Sequence, residues 1–62
     1  MYIVRFVRVD GKQHEDYFYN EPLGAIHHLK LFAKDDSNLY QKIQLIFLEN
    51  CETEIVVTEL LF

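Results

Sequence analysis

The chain has 62 residues, six Lys or Arg against ten Asp or Glu for a formal charge of −4, and a single cysteine, Cys51. That length holds one domain, buries only about 60% of the surface its unfolded form exposes and supplies a core worth roughly 3–5 kcal/mol. No internal disulfide can reinforce it, which points to a partner subunit. The charge excess is all C-terminal: residues 1–31 carry four basic and four acidic side chains, residues 32–62 carry two and six, and no Lys or Arg follows Lys42. Phosphate binding needs basic residues, so direct contact with nucleic acid is not expected. The chain runs from Met1 straight into strand-like sequence, without the basic and apolar regions of a signal peptide. It also has no apolar run near the ~20 residues of a membrane span. A soluble, cytoplasmic protein is expected.

Tyr2–Val9 is β-branched and aromatic and ends in Asp10-Gly11, a dipeptide suited to the positive φ angles of tight hairpin turns. A second strand is predicted over Lys12–Tyr19. A two-residue turn pairs Arg5 with Asp16, Val4 with Tyr17 and Tyr2 with Tyr19, while a three-residue loop puts Glu15 opposite Arg5; an acid faces that arginine in both cases. Asn20-Glu21-Pro22 offers an N-cap side chain followed by an acid and a proline, as helix starts prefer. Pro22, Ala25, Ile26, Leu29, Phe32 and Ala33 then form one apolar stripe at helical spacing. The helix is predicted to close near Lys34, before Asp35-Asp36-Ser37-Asn38. Gly24 in its first turn costs something like 0.5–1 kcal/mol relative to alanine. Gln41–Leu48 and Thr53–Phe62, joined by a turn around Glu49-Asn50-Cys51-Glu52, make a second hairpin.

The expected fold is α+β and two-layered: two β-hairpins flank one helix (β-β-α-β-β), in a single domain over residues 1–62. The antiparallel sheet takes spatial order 2-1-3-4, with a right-handed crossover through the helix. Strand alternation assigns Tyr2, Val4, Phe6, Tyr17, Tyr19, Ile43, Leu45, Phe47, Ile55, Val57 and Leu61 to the helix side. Ile3, Val7, Ile46, Leu48, Val56, Leu60 and Phe62 fall on the opposite face as an uncovered apolar patch and an expected homodimer interface. Pairing through the edge of the last strand is a second route, because little besides its glutamates blocks it.

No set of residues assembles a catalytic or cofactor site. His27 and His28 are adjacent and point about 100° apart on a helix, His14 is remote in sequence, and no third ligand stands at metal-binding spacing. Cys51 lies between Glu49 and Glu52, which disfavour the thiolate. Ser37 lacks a nucleophile-elbow context. Asp35-Asp36-Ser37-Asn38 lacks the alternating ligands, glycine and terminal glutamate of a calcium loop. Gly11 and Gly24, the only glycines, form no phosphate cradle. The nine aromatics lack interleaved basic residues, so core and interface packing accounts for them better than base stacking does.

At Asp10-Gly11-Lys12-Gln13, followed by Asp16-Tyr17, an amphipathic helix and an apolar strand, the chain resembles the small phage uracil-DNA glycosylase inhibitors, short acidic dimers that imitate DNA. The likeness covers about ten residues and the order of elements, and the C-terminal hairpin is additional. In style the whole chain is similar to short proteins of low-GC Gram-positive bacteria and their phages or mobile elements. The expectation is a non-enzymatic protein-interaction module, homodimeric and able to take a protein target. The first alternative is a DNA-mimic inhibitor in which Asp35, Asp36, Glu49, Glu52, Glu54 and Glu59 stand for phosphates. An enzyme of unknown type is the second. Mimicry needs carboxylates on one strand face at 6–7 Å steps; Glu52 and Glu54 share a parity that Glu59 breaks.

Overall fold

A computed structural model describes all 62 residues. Its elements run β1 (Tyr2–Arg8), β2 (Glu15–Tyr19), α1 (Pro22–Leu31), β3 (Tyr40–Glu49) and β4 (Thr53–Leu61). The sheet order is β2-β1-β3-β4 and every pairing is antiparallel. This is the α+β architecture and strand order the sequence predicts.

Cross-strand partners follow the two-residue-turn register, with Tyr2 opposite Tyr19, Val4 opposite Tyr17 and Arg5 opposite Asp16. The strands themselves are shorter than predicted: pairing stops at Phe6–Glu15, and Lys12, Gln13 and His14 lie outside β2. Other partners take over that end of β1. The Val9 N–H donates to the Leu39 carbonyl at 3.0 Å. The Asp10 carboxylate accepts from the Lys12 N–H at 3.0 Å and from the Arg8 guanidinium at 2.8 Å, and Gly11 takes φ +76°.

The helix also departs from expectation at both ends. Its cap residue is Glu21, extended and without a side-chain cap bond, so Asn20 lies outside it. It closes at Leu31, three residues before Lys34; the Phe32 and Ala33 N–H groups reach back only to the carbonyls three residues earlier, a tightened last turn. Ala25 and Leu29 are buried, Ile26 and Phe32 pack beside them, and Ala33 is exposed. Gly24 has a packing reason: a Cβ there would lie 3.0 Å from the Tyr19 ring.

The core lies between α1 and the sheet and consists of Val4, Phe6, Ala25, Leu29, Ile43 and Leu45, flanked by Tyr2, Tyr19, Ile26, Phe32, Tyr40 and Leu60. Phe6 sits at its aromatic centre, with the rings of Phe32, Tyr40, His28 and Tyr17 4.9–5.5 Å away. The short helix touches β1, β3 and β2 but not β4. A bulge changes the faces of β4: Val56 lies opposite Ile46 and Thr58 opposite Leu45, leaving Val57 as an extra residue. Beyond it the alternation is inverted. Leu60, expected on the open face, packs on the helix-side core, and Phe62 shares its parity. Leu61, expected on the helix side, pairs with Lys42 on the open face. Strict two-residue periodicity in the sequence does not reveal an inserted residue.

The β3–β4 turn is closed by the Glu52 N–H on the Glu49 carbonyl at 3.0 Å, with Asn50 at φ +53° and Cys51 at φ +58°. Two left-handed central residues are the hairpin geometry that favours Asn-Gly, and cysteine occupies the glycine position. Relieving the steric cost of a left-handed side chain in Cys51→Gly is expected to add about 0.5–1 kcal/mol. For a domain of this size, that raises the melting temperature by roughly 3–6 °C. An unchanged or lower melting temperature by circular dichroism would refute this account of the turn.

Candidate interaction surface

Alternation along β1 and β3 places Ile3, Arg5, Val7, Lys42, Gln44, Ile46 and Leu48 on the face away from α1. Ile3 and Ile46, cross-strand partners, are almost fully buried there although no helix covers them. The cover is an ionic strap. The Arg5 guanidinium donates to Asp16 on β2 at 2.9 and 3.0 Å, and to Glu54 on β4 at 2.8 and 2.9 Å. A single side chain thus joins the first and last strands of the sheet, and the line from Asp16 to Glu54 crosses the Ile3–Ile46 pair. These charge-assisted, forked bonds hold the Asp16 carboxyl below its ordinary range, and the Glu54 carboxyl likewise.

The open-face patch is therefore smaller than the alternation predicts. Of its seven residues, Ile3 and Ile46 are buried within the chain, Val7 and Leu48 are half-buried, and Leu60 and Phe62 belong to the other side; Val56 remains exposed on the open face. The uncovered apolar surface concentrates on β4 instead. Ile55, Val56, Val57, Leu61 and Phe62 make up five of the twelve large hydrophobic residues that are exposed. With α1 absent from this strand, both its faces meet solvent except at Leu60, which packs on the helix-side core. The alternation of β3 is visible in the sequence; the bulge in β4 and the reach of the helix are not, since the latter depends on where the last turn breaks.

The six acids singled out in the sequence do not converge. Glu54 is held by Arg5, Glu59 accepts from the Gln44 amide at 3.1 Å, and Asp35 accepts from the Ser37 hydroxyl at 2.6 Å. Asp36, Glu49 and Glu52 are exposed. The bulge corrects one expectation: it returns Glu59 to the face of Glu54, so the parity break between them disappears. No group of three His, Cys, Asp or Glu side chains is arranged to hold a metal ion, no surface pocket is present, and no helix is long and apolar enough to cross a membrane. Cys51 is exposed at its turn.

The paired histidines separate. His27 is exposed, whereas His28 packs among Phe6, Tyr17, Tyr19 and Phe32, with ring centroids 4.9–5.8 Å away, and its Nδ1 lies 2.6 Å from the Tyr19 hydroxyl. Neutral His28 with the proton on Nε2 accepts that O–H, an acceptor role that imidazolium cannot fill. Burial pushes the His28 pKa down, and the neighbouring His27 adds to the shift. A base with a depressed folded pKa stabilises the fold fully above its unfolded value of about 6.5; that stability is lost as pH falls from there through the folded value. The melting temperature is therefore expected to drop between pH 7.5 and pH 5, above the carboxylate range. His28→Gln should flatten the drop; an equal drop in the variant would exclude His28 as its source.

No protein-family model, curated protein or solved structure matches the chain.

Proposed function

We propose that the protein is a small acidic, non-enzymatic interaction module of the cytoplasm that works as a homodimer and uses the β4 side of its sheet to meet other protein chains. The observation that carries this reading is β4 itself: nine residues at the sheet edge, untouched by α1, all exposed except half-buried Leu60 and rich in aliphatic side chains. A domain with a core of roughly 3–5 kcal/mol gains the burial it lacks by covering such a strand. Light scattering at micromolar concentration should return about twice the 7.4 kDa chain mass. A stable monomer across the accessible concentration range would refute the homodimer.

The alternative, phosphate mimicry directed at a DNA-handling enzyme, draws support from Glu54 and Glu59 sharing a face. Arg5, bound to Glu54, weakens it by cancelling one of the two charges. Competition with DNA for a uracil-DNA glycosylase separates the readings: the interaction module leaves the enzyme's activity unchanged.

A further inference from the structure

Building on the reading of β4 as the interaction edge, we infer that the occupant of this edge is the same strand of a second copy. The two strands pair antiparallel in one register, with Glu54 opposite the partner's Leu61 and Val56 opposite the partner's Glu59.

The register follows from which backbone groups are free. The Leu48 N–H bonds Met1 on β1, and the Gln41 carbonyl accepts from Phe62 on the β4 side. In an antiparallel ladder successive residues turn to opposite neighbours, so Gln41, Ile43, Leu45 and Phe47 of β3 face β4. Their partners Leu60, Thr58 and Ile55 face back. The bulge adds Val57 to that inward set. Glu54, Val56, Glu59 and Leu61 are left with N–H and C=O groups directed outward.

A bulge usually protects an edge, because it breaks the spacing that an incoming strand needs. A second copy carries the same break. In the proposed register the two bulges lie against each other, and all four outward residues of each copy meet outward residues of the other. Every other symmetric register engages fewer of them. The side chains agree with the backbone: no glutamate stands directly opposite a glutamate, an arrangement that would be destabilising. On the helix side, Ile55 meets the partner's Leu60, one exposed and one half-buried apolar residue.

Ile55, Val56, Val57, Leu61 and Phe62 are between 43% and 72% exposed, so the strand has apolar surface left to bury against a second copy. The product is one continuous eight-stranded sheet with an isologous two-fold interface.

Two measurements test this. In a Cys51→Ser background, Glu54→Cys and Leu61→Cys should form a disulfide with each other when mixed and oxidised, since directly paired strand residues have Cα atoms about 5.5 Å apart. Neither should link to itself, because like positions lie on the order of 20 Å apart. Independently, Leu61→Pro removes an outward N–H without breaking a bond inside the chain. It should keep its circular dichroism spectrum and weaken self-association by about tenfold or more. A dimer that gives no mixed disulfide, links like positions, or survives Leu61→Pro overturns the edge pairing and leaves the homodimer reading in place. A monomeric wild-type protein overturns both.

Discussion

Phe6→Ala is expected to leave no cooperative thermal transition at neutral pH. Phe6 is one of the largest fully buried side chains and the only ring in contact with β2, α1 and β3 together, through Tyr17, His28, Phe32 and Tyr40. Truncating a buried phenylalanine costs roughly 3–5 kcal/mol, from lost transfer energy and the cavity left behind. That matches the whole margin of roughly 3–5 kcal/mol expected for a core of this size. Few other side chains could collapse into the gap, since only eight residues are buried in all. Phe6→Leu, which keeps most of the volume, should stay folded with a lowered melting temperature. A sharp transition in Phe6→Ala within a few degrees of wild type would show that the aromatic cluster is not the stabilising centre.

The strand order, the helix and the first hairpin register were legible because each rests on a local pattern. Val4 and Phe6, then Ile43, Leu45 and Phe47, alternate without interruption, and Arg5 has an acid opposite it in either predicted register. What escaped the sequence was set by tertiary contacts. The inserted residue at Val57 leaves no compositional mark: Ile55, Val56 and Val57 read as continuous strand, yet the bulge moves Leu60, Leu61 and Phe62 to the opposite faces from those predicted. The burial of Ile3 and Ile46 was equally hidden. The sequence pairs Arg5 with Asp16 across neighbouring strands, while the second acid, Glu54, lies 49 residues away and reaches Arg5 only once β3 has placed β4 at the far edge. An apolar open face was therefore expected where the chain covers its own. The helix-side reading of Tyr17 and Tyr19 held, but His28 as their partner was not anticipated, because its neighbour His27 obscured which of the two faces the core.

Arg5→Ala is expected to destabilise the protein by about 2 kcal/mol. One part is the half-buried Asp16 carboxylate left without its forked partner, a loss of roughly 1–3 kcal/mol for an unsatisfied group. His14 Nε2, 3.5 Å from Asp16, is a poor replacement. The other part is the exposure of Ile3 and Ile46, which the arginine stem and its two acids cover. Arg5→Met separates the contributions, since it retains an apolar stem and lacks the charge. If covering the isoleucines dominates, Arg5→Met recovers most of the stability; if the ion pairs dominate, it resembles alanine. Acid titration gives an independent reading. Asp16 and Glu54 both have carboxyl pKa values lowered by Arg5, so their contribution is present above the ordinary carboxylate range near pH 4 and is lost as pH falls through the depressed values. Wild-type protein should lose stability across that window, and Arg5→Met, whose acids keep only the weaker pull of His14, should lose much less. Equal acid sensitivity in the two proteins would show that the strap across the sheet contributes nothing to folding.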